Sequence, residues 1–223
     1  MTKRILSAKD TFRKTADAGN LGLHVRENDT CRSILSGTIF WELRDGKTGE
    51  LQDSGCWENV VTLDASILVA RLMKSTPTPN VSEPRFGCYA LSVGTGDVGW
   101  DLQNPPVATV SQRSLYNEIA RKQLQISEYV DAEGAISGIP TNIVDFTTTY
   151  SEAEAVGPLV EMGILGGDID TNMANRNPIL PPNGIYDATV DVTGKDMLGN
   201  YKTFKVLNKP ATSTLSFTWR LTF

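Results

Sequence analysis

The sequence predicts a mainly β protein: an antiparallel β-sandwich or barrel-like domain with one or two short helices and a long loop insertion. The clearest observation is at the C-terminus, where apolar and polar residues alternate without interruption from Thr214 to Phe223, as in a strand with one buried face. Segments of this type outnumber helical segments, and they do not alternate with helices as parallel strands do. Both observations favour antiparallel sheets.

Composition restricts the classes of partner. The 223 residues are 40% hydrophobic, enough for one large core, and the formal net charge of −5 gives no overall attraction to nucleic acid or to an anionic membrane. No uncharged apolar stretch reaches about eighteen residues, and the charged N-terminus differs from a secretory signal. We therefore expect a soluble protein made in a cytoplasm, with protein partners, no nucleic acid and no membrane.

The chain divides into a short arm and one large domain. Residues 1–20 are rich in lysine and arginine and lack an apolar period, which predicts an arm that either lies on a neighbouring subunit or is disordered. Arg4 and Arg13 of this arm are candidate interface residues. Residues 21–223 are expected to form a single β-rich domain.

The first part of the domain predicts a strand, a turn and a helix. Ile39, Trp41 and Leu43 share one face of a strand, and residues 45–49 suit a hairpin turn. A helix is predicted to begin near Asp64, with a threonine and an aspartate as candidate caps. Four residues are expected to share one side of that helix: Ile67, Leu68, Arg71 and Leu72. Three prolines make residues 75–84 an expected exposed loop.

The central part predicts further strands. Phe86–Val93 is apolar on both faces, as in a central strand, and residues 94–101 are rich in turn formers. A short helix is predicted over residues 111–117, before a strand near Ile119–Ile126.

Two more strands and the long insertion follow. Val144, Phe146 and Tyr150 share one face of a predicted strand, and residues 156–165 predict another. The segment at about 166–200 is rich in Gly, Asn, Pro and Asp, and we expect a loop insertion there that docks to other subunits. Ile179 and Leu180 are its candidate interface residues.

Two motifs resemble ligand sites but lack decisive residues. Gly94–Gly99 has neither the lysine and hydroxyl of a nucleotide loop nor a following helix, so a tight loop is favoured. Asp168–Asn172 matches the first positions of a calcium loop, but Met173 and Ile179 replace the required glycine and glutamate. We expect no cofactor and no metal.

Catalytic residues are not indicated either. His24 is the single histidine and has no recognisable nucleophile nearby, and Glu152 and Glu154 are interpreted as a solvated acidic pair rather than as glycosidase acids. Three cysteines without CxxC spacing predict reduced, buried or half-buried thiols: Cys31, Cys56 and Cys88. The chain is therefore predicted not to be an enzyme.

The tryptophans fall into two groups. Trp41 and Trp219 are in phase with apolar strand faces and are predicted to lie in the core. Trp57 and Trp100 lie in loop-like sequence and are candidate exposed interface residues, or alternatively sugar-stacking residues.

Several segments, in this order, resemble a group of tailed-bacteriophage structural proteins described as tail-fibre, tail-collar or baseplate-associated. The matching segments span residues 35–223 and include Leu91–Gly96, Leu115–Arg121, Val144–Tyr150, Leu159–Leu165 and the closing Leu215–Phe223 strand. The group carries an avGtG strand-turn, an L..E..R segment, an E.GLF segment and a final l.v.W.i.f strand. The arm and the insertion after Gly166 depart from this pattern. In physical terms, Gly94 and Gly96 suit a tight strand exit, and Glu118 and Arg121 suit an ion pair.

The resemblance implies a virion subunit of the tail, baseplate or fibre attachment, which docks to other virion proteins and to copies of itself. A head decoration or neck protein is an alternative of the same class. A module that binds a host glycan is an alternative from a different class, and it predicts a groove lined by Trp57 or Trp100.

Overall fold

The computed structural model describes residues 36–74, 84, 86–167 and 196–223, all within one compact unit. These residues form the following elements: β1 (Ser36–Asp45), β2 (Leu51–Glu58), β3 (Val60–Val61), α1 (Leu63–Met73), β4 (Phe86–Gly94), β5 (Glu118–Gln123), β6 (Ile126–Tyr129), β7 (Ile143–Tyr150), β8 (Gly157–Gly167), β9 (Asp196–Lys209) and β10 (Ser213–Thr222). The predicted mainly β fold is confirmed.

The strands form two five-stranded antiparallel sheets that pack as a sandwich. The first sheet has the order β2-β1-β10-β7-β6, and the second sheet has the order β3-β9-β8-β4-β5. The chain changes sheet between β2 and β3, where the Asn59 amide donates to the Gly37 carbonyl at 3.2 Å. It changes sheet again between β5 and β6, where the Gln125 amide donates to the Thr147 carbonyl at 2.9 Å. At each edge of the sandwich, the chain therefore passes directly from an edge strand of one sheet to an edge strand of the other.

The main core lies between the sheets. The first sheet contributes alternate residues of β1, β7 and β10, because successive side chains of a strand point to opposite faces. The buried residues include Ile39, Trp41, Leu43, Phe146, Tyr150, Leu215, Phe217, Trp219 and Leu221, and opposite them Leu91, Val93, Leu159, Met162, Ile164, Phe204 and Leu207. The predicted shared faces of β1, β7 and β10 and the core positions of Trp41 and Trp219 are confirmed.

Helix α1 packs on the outer side of the second sheet. Its N-cap is Thr62, whose hydroxyl accepts from the Ala65 amide, as the sequence predicts. The buried side is formed by Asp64, Ala65 and Leu68, whereas Ile67 and Leu72 are 48% and 46% exposed. The prediction that Ile67 and Leu72 share one side of the helix with Leu68 is therefore wrong, because Leu68 is buried and the other two are exposed. The helix packs against glycines of the sheet, which have no side chains, and therefore lies close to the strands. A narrow buried side of the helix is enough to cover this part of the sheet.

The other predicted elements have mixed outcomes. The predicted central strand is β4, which lies between β8 and β5, and the strands predicted near 144–150 and 156–165 are β7 and β8. The strand predicted near Ile119–Ile126 is split at residues 124–125, where the chain changes sheet. The short helix predicted over residues 111–117 does not form, because the Tyr116 and Asn117 amides donate to the Glu161 carboxylate instead of to helical carbonyls.

Some predictions need new boundaries or lie outside the described residues. Residues 166–167 end β8 and residues 196–200 begin β9, so the expected insertion at 166–200 is too long at both ends. Cys56 is exposed, against expectation, and Cys88 is half-buried; both are free thiols. The following lie outside the described residues: the arm 1–20 with Arg4 and Arg13, His24, Cys31, residues 75–83, Asp168–Asn172, Met173, Ile179 and Leu180.

Candidate functional site

A long loop, residues 95–117, joins β4 to β5 without helix or strand. Loops longer than about 15 residues are uncommon in compact domains and are usually functional. This loop crosses the edge of β9: the Val206 amide donates to the Leu102 carbonyl at 2.8 Å, and the Thr203 hydroxyl donates to the Pro106 carbonyl at 2.6 Å. The long loop therefore protects a strand edge that water would otherwise reach.

The long loop also holds the N-terminus of α1. The Leu63 amide, at the first position of the helix, donates to the Val110 carbonyl at 2.8 Å. The Arg113 guanidinium forms an ion pair with Asp64 at 3.3 Å, and Asp64 lies in the first turn of the helix. Loop and helix thus form one continuous layer over the second sheet, above a small second core of Ala90, Leu115, Leu165, Leu198 and Tyr201.

Both ends of the long loop are bound to one buried carboxylate, that of Glu161 on β8. Its Oε1 accepts from the Gly96 amide at 3.1 Å and from the Asn117 amide at 2.8 Å. Its Oε2 accepts from the Tyr116 amide at 3.0 Å and from the Tyr201 hydroxyl at 2.7 Å. Glu161 is 0% exposed, so these four donors replace the water that the carboxylate loses on folding.

Burial governs the protonation of this cluster. Burial raises the pKa of Glu161 above its ordinary value, although the amides of Asn117, Tyr116 and Gly96 and the Tyr201 hydroxyl all act in the opposite direction. Burial, together with the neighbouring Glu161 charge, also raises the pKa of Tyr201 far above its ordinary value. The Tyr201 hydroxyl therefore stays a hydrogen-bond donor at any pH at which the protein is handled.

Two glycines make the Glu161 contacts geometrically possible. A Cβ at Gly94 would lie 2.5 Å from both the Asn117 carbonyl oxygen and Glu161 Oε1. Gly96 has φ +68°, a conformation that L side chains rarely adopt, and the Trp100 ring lies against it. The Gly94–Gly99 segment is thus a tight loop whose Gly96 amide is already bound to protein, not a phosphate cradle.

A second group of buried polar side chains includes an ion pair between two residues of β5. Arg121 forms a bidentate ion pair with Glu118, at 2.6 and 2.7 Å, and the Ser92 hydroxyl donates to Glu118 at 3.0 Å. The predicted ion pair is therefore confirmed, and through Ser92 it links β5 to β4. Three segments, those containing Gly94, Glu118 and Glu161, meet at this end of the second sheet, because Gly94 is paired with both acids.

The outer surface of the long loop and of α1 carries exposed apolar side chains. Val107 and Val110 are 86% and 55% exposed, and Leu63 and Ile67 of α1 are about half exposed. We call these four residues the apolar surface. Of these four residues, Leu63 and Val110 are neighbours, because the Leu63 amide donates to the Val110 carbonyl.

The six predicted interface residues have different outcomes. Trp100 lies in the long loop, half-buried, with its ring edge-on to Tyr116 at 4.8 Å between centroids. Trp57 is not in a loop but on β2, where its ring stacks with Trp41 at 5.2 Å and with Phe204 at 4.4 Å. The expectation that both are exposed is wrong, because each is half-buried against other rings. The remaining four, Arg4, Arg13, Ile179 and Leu180, lie outside the described residues.

The acidic pair is partly engaged in structural contacts. Glu154 forms an ion pair with Lys122 at 2.6 Å and accepts from the Ser151 amide at 2.7 Å. Burial raises the pKa of Glu154, but the Lys122 and Ser151 contacts outweigh it and the pKa is lowered. Lys209 is buried and donates to the carbonyls of Ser151 and Glu152 at 2.7 and 3.1 Å.

The sequence predicts no physical role for Tyr201, and it marks Glu161 only as part of the Leu159–Leu165 segment. One signal was present: Glu161 is the single charged residue in the otherwise apolar run from Pro158 to Leu165. An acid in such a run is expected to be buried with partners. The partners themselves are far away in sequence and carry no local mark.

Part of the chain is similar to a known protein. No family model matches the chain. A protein named amylopullulanase, from Thermoanaerobacter thermohydrosulfuricus, is 29% identical over 150 residues, which is 59% of this chain and 10% of that protein. The chain thus spans about a tenth of the relative that it matches. Within the described residues, no helix has the length and hydropathy to cross a membrane, and no group of three or more His, Cys, Asp or Glu side chains is placed to hold a metal ion.

Proposed function

We propose that the protein is a non-enzymatic structural subunit of a tailed phage particle, most specifically of the tail, baseplate or fibre attachment. It acts by docking to other virion proteins and to copies of itself. The observation that carries this proposal is the long loop, which is bound at both ends to Glu161 and presents Val107 and Val110 to water. The order of the motifs in the sequence supports the phage assignment.

Docking through a firmly held loop is favourable for a physical reason. Removing apolar area from water contributes about 25 cal/mol per Å², and a surface that is already ordered loses little conformational entropy on binding. Trp100 suits the centre of such an interface, because its half-buried ring is held by Tyr116 and needs little further ordering.

The buried acids support a structural role rather than catalysis. Glu161 binds backbone amides and a tyrosine hydroxyl, Glu118 binds Arg121, and Glu154 binds Lys122. Each of these carboxylates joins segments of the fold.

Light scattering after size exclusion tests docking between copies. The wild-type protein is expected to form a defined oligomer, and the double variant Val107→Asp/Val110→Asp is expected to dissociate, because two charges would be buried without partners. The matched control is Thr218→Asp, on the outer face of the first sheet, which should keep the wild-type mass. A wild-type monomer at all concentrations, or an unchanged mass for the double variant, would contradict docking between copies through this surface.

Location in a virion needs a separate test. Gold-labelled antibody against the protein should mark purified phage particles at the tail or baseplate. Label confined to the head or neck would favour the head decoration or neck alternative, and the absence of the protein from particles would contradict the phage assignment.

A glycan-binding module is the second candidate, favoured by the similarity to a protein named amylopullulanase. Trp100 is the better platform of the two tryptophans, since the Trp57 ring is stacked with Trp41 and Phe204. If this candidate is correct, amylose or pullulan in a native gel will retard the wild-type protein and not Trp100→Ala. Under the structural proposal neither protein is retarded.

A further inference from the structure

We infer that Glu161 is the positioning residue of the long loop: its one carboxylate fixes both loop ends and so sets the conformation in which the loop docks. Only the statement that the loop docks to a partner rests on the proposed function. Its structural part, that Glu161 determines the order of the long loop, stands on the geometry alone.

The carboxylate is fully used in a way that no neutral side chain can copy. Each oxygen accepts two hydrogen bonds: Oε1 from Gly96 and Asn117, and Oε2 from Tyr116 and Tyr201. Two oxygens with about four acceptor sites are what an ionised carboxylate offers. A glutamine would present one oxygen and one NH₂ group, and the NH₂ group would face donors.

Three of the four donors belong to the long loop, and one belongs to the sheet. The Gly96 amide lies at the first turn of the loop, and the Tyr116 and Asn117 amides lie at its last residues. The loop ends also contact each other, because the Thr95 amide donates to the Asn117 carbonyl at 3.0 Å and the Asn117 side chain donates to the Thr95 hydroxyl at 2.6 Å. Glu161 lies beneath this closure and joins both ends to β8.

The sheet itself does not depend on this carboxylate. Strand β8 pairs with β4 and β9 through backbone hydrogen bonds, and Met162 and Ile164 lie in the main core. Loss of the Glu161 carboxylate should therefore release the loop in a local opening while the sandwich stays folded.

Hydrogen exchange of single amides tests the inference. In Glu161→Gln, exchange at Gly96, Tyr116 and Asn117 is expected to increase on the order of 10- to 100-fold, as for loss of hydrogen bonds to a charged group. Amides in β10 should exchange as in the wild type. The matched control is Ser92→Ala, which removes a hydrogen bond to Glu118, a different carboxylate on the same sheet: its loop amides should stay within about threefold of wild type.

Two outcomes would overturn the inference. Equal acceleration of loop and β10 amides would mean that Glu161 serves the stability of the whole domain, and unchanged protection of the three loop amides would mean that it holds nothing. If Glu161→Gln does not fold, Glu161→Asp takes its place, because a carboxylate that is one methylene shorter keeps the charge but cannot reach both loop ends. It too should accelerate exchange at the loop amides alone.

The mass of Glu161→Gln in solution separates this inference from the proposed function. Accelerated loop exchange with an unchanged oligomer would uphold the positioning role and contradict docking through the loop. Protected loop amides in Glu161→Gln, together with dissociation of Val107→Asp/Val110→Asp, would uphold docking and overturn the positioning role. The full inference requires Glu161→Gln to show both faster exchange of the loop amides and dissociation of the oligomer.

Discussion

The two sheets of the sandwich differ in what covers their outer faces. Among the described residues, no helix covers the outer face of the first sheet, where Thr147 lies beside Thr218, Thr149 lies beside Ser216, and Phe40 is partly exposed. The second sheet is covered by α1 and the long loop, and β8 is buried on both faces from Leu159 onward. An open face yields a period-2 pattern in the sequence, whereas a covered face yields a continuous apolar run.

The largest effect is expected in the core that both sheets share. Trp219→Ala removes a ring that is 0% exposed and should destabilise the protein by about 3–5 kcal/mol, through lost burial and a residual cavity. Its neighbour Thr218 lies on the open outer face, so Thr218→Ala should cost less than about 1 kcal/mol. Urea unfolding followed by circular dichroism measures both values. Similar losses for the two variants would mean that the outer face is covered and that the contrast between the sheets is wrong.

This contrast explains which parts of the fold the sequence predicts. The alternation in β1, β7 and β10 indicates strands with one buried face and one face toward water. These strands and the core positions of Trp41 and Trp219 can therefore be predicted from the local pattern. Strand β2 gives no such pattern. Its Gly55 lies under the Trp41 indole and the rest is largely exposed, so the local sequence predicts a loop around Trp57.

The candidate site is harder to predict because its contacts are distant in sequence. Glu161 binds amides that lie 44 to 65 residues earlier in the chain. Backbone amides have no sequence signature, so the binding of Tyr116 and Asn117 to a side chain, in place of a helix, is invisible locally. Glu118 and Arg121 are three residues apart, and that pair could be anticipated.

Two bidentate ion pairs, one on each sheet, sharpen the contrast further. The side chains of Arg121 and Glu118 on the second sheet are 1% and 15% exposed, and those of Arg220 and Asp145 on the first sheet are 26% and 15% exposed. Arg121→Met should cost about 3 kcal/mol, because Arg121 is buried and water cannot take the place of its guanidinium beside Glu118, whereas water can reach the place of the partly exposed Arg220. Arg220→Met, the matched control, should cost less than about 1 kcal/mol and less still at high salt.

Replacing both members of the buried pair completes this test. Glu118→Gln/Arg121→Met should recover most of the stability lost in Arg121→Met, because no unpaired charge remains. The free energies of unfolding of the wild type, Glu118→Gln, Arg121→Met and the double variant form a double-mutant cycle. A loss for Arg220→Met as large as that for Arg121→Met would show that burial does not distinguish the two pairs.

The last expected effect is confined to alkaline pH and concerns Lys209, at the end of β9, which donates to carbonyls just beyond β7 and so joins the two sheets. Burial lowers the pKa of Lys209 to about 8, against the pull of Glu154 and Glu152. Between about pH 8 and the ordinary lysine pKa of about 10.4, the unfolded chain holds a proton that the folded protein has released. The free energy of unfolding should therefore gain a rising component with pH across this window, and Lys209→Met should lack that component. Unfolding measured at several pH values checks it, with Lys47→Met as an exposed control. If the difference between wild type and Lys209→Met were independent of pH, Lys209 would titrate as an ordinary surface lysine, and the junction of the two sheets would be open to water.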